Sequence, residues 1–216
     1  MYFQFLVEDM SSEKLIRRVM DKIQKASSDV RYDCKSFKGI GGLKVNANAA
    51  QVKTDKLLND LPQYLRGFDK SLRGIDAAII IVLDNDKRET QEFERQLKNV
   101  ADNAHIVIDH VFCIAVEEME AWLLGDRKAL FQAYPNARES ALKDYVQDSI
   151  CGTWEVLANA LYKGGIKKFK KDCPTYREVG RYKSEWADKI GLYFHLEDNC
   201  SPSFQKFIGA IQERIA

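Results

Sequence analysis

Carboxylates placed at the ends of apolar runs are the residues here whose types and spacing point to chemistry. Asp84-Asn85-Asp86 closes the stretch Ala77-Ala78-Ile79-Ile80-Ile81-Val82-Leu83. A fully apolar, β-branched run reads as a strand buried on both faces, and open α/β sheets bind ligands beyond the carboxyl ends of such strands. Alternate strand residues point the same way, so Asp84 and Asp86 are expected to aim two carboxylates at one spot. A hard cation, Mg²⁺ or Mn²⁺, would relieve their repulsion. An Asp-Asn-Asp turn that merely ends the strand is the alternative. Glu8 closes an earlier apolar run in the same manner, and Glu117 follows a later one. Glu117 and Glu120, three apart on an expected helix, share a face. Acids gathered at strand ends are what metal-dependent phosphoryl transfer requires, in which the cation activates water and neutralises charge building on a phosphodiester. A neighbouring carboxylate serves as general acid or base.

The elements that must position these groups alternate. A strand over about Tyr2 to Val7 precedes Ser11 and Ser12, both good N-caps, and a helix with Leu15, Ile16, Val19, Met20 and Ile23 on one stripe. A second strand is expected over Val30 to Phe37. The glycine cluster Gly39-Ile40-Gly41-Gly42 lacks the Gly-Lys-Ser/Thr ending of a phosphate-binding P-loop and reads as a flexible loop. Leu57, Leu58, Leu61 and Leu65 predict a helix interrupted early by Pro62. The central strand follows, then a charged helix from about Arg88 to Ala101, and one or two strands within Ile106 to Val116. From Glu117 the spacing of Met119, Trp122 and Leu123 is helical. The order implies a parallel sheet covered on both faces. Beyond Asp126 the strand signals fade. Ala129–Phe131, Trp154–Leu161, Tyr182–Ile190 and Phe204–Ile215 all read as helices, so an α/β core over residues 1–126 precedes a helical extension over 127–216 packed upon it.

The 216 residues, 45% hydrophobic and 30% charged, describe one globular core with an appendage. No apolar run approaches the ~18 residues of a membrane span, and the first residues read as a strand rather than a signal peptide. Cys34, Cys113, Cys151, Cys173 and Cys200 form no Cys-x-x-Cys pair, which fits reduced thiols packed in the core of a cytoplasmic protein. The net charge is only +1, but acids dominate from Asp84 to Asp126 and bases from Lys163 to Lys189. An acidic centre beside a basic flank suits a protein that holds cations and a polyanion together; a solvated basic loop is the alternative. His105, His110 and His195 are isolated, and Trp122 reads as core.

A strand ending in Glu, then a helix, then a strand ending in Asp-x-Asp resembles the Toprim fold of topoisomerases, primases and the overcoming-lysogenisation-defect nucleases. More narrowly, Phe5-Leu6-Val7-Glu8-Asp9-Met10-Ser11-Ser12-Glu13 and Ile114-Ala115-Val116-Glu117-Glu118-Met119-Glu120-Ala121-Trp122-Leu123-Leu124-Gly125-Asp126 resemble a Toprim-like family of unknown function. Lys189-Ile190-Gly191-Leu192 and Asn199-Cys200-Ser201-Pro202-Ser203-Phe204 carry the similarity to the end of the chain. The resemblance implies Glu8, Asp84 and Asp86 as the Toprim acid and metal ligands and Glu117 and Glu120 as further ligands or bases; Lys183 falls where the family tends to carry a lysine and is either a cation opposite the developing phosphorane charge or one more surface lysine. It implies a DNA or RNA substrate and a partner ATPase of the ABC type in a defence module. Toprim proteins usually place Gly after the first Glu, where this chain has Asp9, and the second acid of that motif stays open between Asp9 and Glu13.

The leading expectation is therefore a Mg²⁺- or Mn²⁺-dependent nuclease. The alternative is a non-catalytic Toprim-fold subunit that regulates a partner ATPase. A glycosyltransferase reading of Asp-Asn-Asp conflicts with Glu8 on the first strand. A haloacid-dehalogenase phosphatase carries its Asp-x-Asp on the first strand, continued by Thr or Val rather than Lys87-Arg88. The sequence fixes no oligomeric state, and a homo-oligomer is one option.

Overall fold

A computed structural model describes residues 1–43 and 54–216. Four strands, β1 (Tyr2–Val7), β2 (Arg31–Ser36), β3 (Ala77–Asp84) and β4 (Asp109–Ala115), form one parallel sheet in the order β2-β1-β3-β4. Helix α1 (Met10–Ala26) links β1 to β2, α2 (Leu57–Ser71) links β2 to β3, and α3 (Thr90–Ala104) links β3 to β4. The chain thus moves outward from β1 to β2 and then returns past β1 to β3. The strand order reverses between β1 and β3, the position where open α/β sheets open a crevice at their carboxyl edge.

Side-chain alternation divides the apolar residues between two layers. Phe3, Phe5, Val7, Ala78, Ile80 and Val82 face α1 and the whole helical half of the chain. Leu6, Ile79, Ile81 and Leu83 face α2 and α3. The helical half comprises α4 (Glu120–Gly125), α5 (Arg127–Ala133), a 3₁₀ turn (Glu139–Leu142), α6 (Thr153–Leu161), α7 (Gly165–Asp172), α8 (Tyr176–Tyr193) and α9 (Pro202–Ile215). Trp122, stacked on Phe207 at 5.0 Å and donating its indole N–H to Ser203, is fully buried and belongs to the same core as β1 and α1. That shared core makes the helical half a layer of the fold, resting on one sheet face. The expected α/β architecture with a parallel sheet and a helical C-terminal half is therefore the observed one.

Several local expectations are corrected. Asp9, not Ser11 or Ser12, caps α1. Its carboxylate accepts the Ser12 N–H at 2.8 Å and both serine hydroxyls. Asp9 sits at φ −151°, extended backbone that needs no glycine. Pro62 lies inside α2, which runs through it at the cost of one backbone donor. The lysine-rich segment Gly165–Asp172 is a short helix whose Phe169 packs against Trp154, Tyr162, Tyr182 and Trp186, while the Ile106–Val116 segment supplies one strand, as the first of its two expected forms had it. Cys34, Cys113 and Cys173 are buried, whereas Cys151 and Cys200 are exposed rather than core residues.

A candidate acidic site at the carboxyl edge of the sheet

Strand register sets the site. Val7 pairs with Val82, so Glu8 comes level with Leu83 and Asp84 lies one residue beyond. Parity then decides the direction: Asp84 follows Ala78, Ile80 and Val82 and faces the helical half. There α4 begins at Glu120, and α8 sends Lys183 inward. Lys183 Nζ lies 3.0 Å from Glu120 Oε2 and 3.8 Å from Glu118 Oε2. Asp84 Oδ1 accepts the Met119 N–H at 2.9 Å, which ties the end of β3 to the start of α4.

Glu120 is only 1% exposed, and among the described residues neither of its oxygens has an aligned hydrogen bond. Its Oε2 is held instead by a short ion pair with Lys183. Glu8 Oε2 is likewise buried and unpartnered. Buried carboxylate oxygens are ordinarily satisfied, and leaving them bare is costly.

The electrostatics follow from that crowding. Burial, then the charges of Asp9 and Asp86, push the Glu8 carboxyl up to about 7, with Lys183 and the Ile40 N–H acting against the rise. Burial and Glu120 push Glu118 up to about 8. Asp84 is raised well above the ordinary carboxylate range by burial and by Glu8, and Glu120 is raised by burial against the pull of Lys183. Burial works against the Lys183 ammonium, yet Glu120, Glu118, Asp84 and Asp9 together raise its pKa above the usual lysine value. One cation thus faces several acids, and burial and mutual repulsion favour the protonated forms of those that Lys183 does not hold.

Two expected site residues have other work. Glu117 stands at φ +61° before α4 begins, so it shares no helical face with Glu120. Its carboxylate turns to the start of α6 instead. It accepts the N–H groups of Cys151 (3.1 Å), Gly152 (2.8 Å) and Thr153 (2.8 Å) and the Thr153 hydroxyl. Burial opposes its ionisation, but these donors win and hold its carboxyl below the usual range. Asp86 does not continue the strand alternation: at φ +49° it is half-exposed and pairs with Arg88 at 2.7 Å. It reaches the site as a charge at the rim, felt by Glu8. Glu13 is engaged by Arg17 and Ser36; Asp9, though itself the cap of α1, is the acid whose charge Glu8 feels.

Glu118 is the site residue that sequence reasoning missed. The Glu117-Glu118 pair was the available signal, but only the backbone turn at Glu117 decides which side chain enters the site. Gly39, at φ +101°, brings the glycine loop against the strand end by donating its N–H to the Glu8 carbonyl at 3.0 Å. His195 holds Asp126, with its Nδ1 at 3.0 Å, and is placed outside the acidic cluster.

Among the described residues no three His, Cys, Asp or Glu side chains stand grouped closely enough to hold a metal ion as placed. The donor set nevertheless fits a hard cation in kind: Glu8, Asp84 and Glu120 offer oxygen ligands, and two of those oxygens, Glu8 Oε2 and Glu120 Oε1, are buried without a partner among the described residues.

The profile of a family described as a domain of unknown function (DUF4276) matches residues 7–212, so the chain belongs to that family. No curated protein and no solved structure matches it.

Proposed function

For this DUF4276 member we propose a Mg²⁺- or Mn²⁺-dependent nuclease or related phosphoryl-transfer activity on DNA or RNA, in a Toprim-like site, working with a partner ATPase of the ABC type in a defence module. The observation that carries the reading is a pair of buried carboxylate oxygens without a hydrogen-bond partner among the described residues, Glu8 Oε2 and Glu120 Oε1, beside Asp84 and the Lys183–Glu120 ion pair, at the point where strand order reverses. Glu8, Asp84 and Glu120 would hold the cation, with Asp86 at the rim. When bound, the cation supplies Lewis-acid stabilisation of phosphate charge and lowers the pKa of water.

The chain's own residues account for the remaining requirements. Lys183, held charged by its acidic neighbours, offers an ammonium to a phosphoryl oxygen. Glu118, with a carboxyl raised to about 8, holds a proton near neutrality that a leaving oxygen can accept. Asp9 fixes the start of α1 and so the direction in which Glu8 leaves β1. Trp122 and its stack exclude water from beneath α4.

The test is cleavage of labelled DNA and RNA oligonucleotides with Mg²⁺ or Mn²⁺, with and without the proposed partner ATPase. Activity lost in Asp84→Asn and Glu120→Gln supports the reading. No cleavage of any substrate in any of these conditions, or cleavage that survives both substitutions, sinks it.

A second reading, a non-catalytic subunit that regulates a partner ATPase, is favoured by one feature. Lys183 already pairs with Glu120 and lies near Glu118, as a structural ion cluster would. A stable ATPase complex together with undetectable Mn²⁺ binding by calorimetry would select it.

A further inference from the structure

The start of α8 overhangs the acidic site. Arg18 pairs with Asp188, and Lys22 donates to the Leu192 carbonyl at 2.8 Å. Both contacts join residues 170 apart, so α1 and α8 run parallel and in step. At the same offset Gly180 comes level with Met10, the first residue of α1, and Tyr176–Val179 project beyond it. The first turn of α1 already marks the carboxyl edge of the sheet, so the first turn of α8 stands above the mouth of the site.

The residues on that turn are unusual for their position. Seven residues on a helix return almost to the same azimuth. Tyr176 therefore lies on the inward stripe that farther along carries Lys183, Trp186, Ala187 and Ile190. The latter three are buried and Lys183 is 15% exposed, but Tyr176 is 98% exposed. Between them stands Gly180, whose missing Cβ would meet nothing within 4 Å. A glycine inside a helix is disfavoured, and here no packing neighbour requires it. Arg177 and Arg181 are exposed on the adjoining flank, with Arg181 lying over the Tyr182 ring at 4.8 Å. The whole segment 163–189 holds nine Lys or Arg against four Asp or Glu.

We propose that this overhang is a landing platform for a single strand of nucleic acid, with a base stacked on Tyr176, the backbone passing over Gly180, and Arg177 and Arg181 holding phosphates. Lys183, about 10 Å farther down the same stripe, marks where that backbone reaches the acids. The inference rests on the phosphodiester reading of the site and adds to it the strand state of the substrate. An exposed aromatic ring serves an unpaired base and is useless to the shielded bases of a duplex. The flanking cations are indifferent to sequence.

Binding separates this proposal from catalysis. Fluorescein-labelled single-stranded DNA, single-stranded RNA and the matching duplex are titrated by anisotropy in two formats, wild-type protein in EDTA and Glu120→Gln with Mg²⁺. Single strands are expected to bind more tightly than the duplex, and the DNA and RNA arms rank the two sources of the same chemistry. Tyr176→Ala is expected to weaken single-strand binding roughly 5- to 150-fold, the range of one lost base stack, and Tyr176→Phe to restore it. Arg177→Glu with Arg181→Glu should lower the salt slope of binding by about 1.4, two phosphate contacts on a single strand. Lys98→Glu, an exposed charge on α3 across the sheet, should change neither. Unchanged melting temperatures keep these effects from being folding defects. Equal or tighter duplex binding, indifference to Tyr176→Ala, or no binding in either format overturns the proposal. Binding by these residues without any cleavage would leave the platform standing and count against the nuclease.

Discussion

Replacing Glu117 with Ala separates a capping role from a metal-binding one. Its carboxylate accepts three N–H groups and one hydroxyl at the start of α6, and Thr153, which supplies two of those donors, is fully buried. Leaving a buried N–H unsatisfied costs about 1–3 kcal/mol. Losing a negative charge at a helix N-terminus adds about 0.3–1 kcal/mol. The donors of Cys151 and Gly152 are nearer solvent and recover water. A total of roughly 1.3–4 kcal/mol follows from these terms, and in a domain of this size each kcal/mol moves Tm by about 2–4 °C. Differential scanning fluorimetry should therefore show Glu117→Ala melting roughly 3–16 °C below wild type. The same variant, kept well below its Tm, should retain the upward Tm shift given by Mn²⁺. An unchanged Tm together with loss of the Mn²⁺ shift would refute the reasoning and restore Glu117 as a ligand.

Other consequences are equally direct. Saturating Mg²⁺ or Mn²⁺, at about 100 times Kd, stabilises a native site by about 2.7 kcal/mol; wild type should gain several degrees in Tm by scanning fluorimetry, whereas Glu8→Gln and Glu120→Gln should gain none. Asp69 accepts the N–H groups of Val107 (2.7 Å) and Ile108 (2.9 Å), which hold its carboxyl below the ordinary range. Its contribution is complete above the ordinary carboxylate pKa of about 4 and is lost as pH falls through the lower folded value, so urea titrations should show a shallower acid limb in Asp69→Asn. At Gly191 an added Cβ would meet Arg18 Cβ at 2.8 Å. Gly191→Val should push α8 off α1, lower Tm, and weaken nucleic-acid binding through the displaced Lys183.

The parts of this fold that were legible from residues alone are those where local pattern and burial agree. Ala77–Leu83 is apolar on both faces because helices cover both, and its end had to carry whatever chemistry the sheet displays. Glu8 was found by the same rule. Helical spacing in Met119, Trp122 and Leu123 was also real, but extending it back to Glu117 failed. A single left-handed residue, which no periodicity reveals, separates that glutamate from the helix. The Asp84/Asp86 alternation failed for a related reason: β3 ends at Asp84, and the turn gives Asp86 to Arg88. Lys183 could not be singled out from eight other bases in its segment without the family resemblance, because its burial depends on the parallel packing of α8 along α1. Glu118 was hidden by its neighbour.

Crystals grown or soaked with Mn²⁺ and measured at a wavelength where manganese scatters anomalously test the central claim most directly. The account predicts an anomalous peak at the carboxyl edge of β1 and β3, with oxygens of Glu8, Asp84 and Glu120 within about 2.0–2.6 Å of it. A map with no peak there, with Lys183 still seated on Glu120 at saturating Mn²⁺, would contradict it.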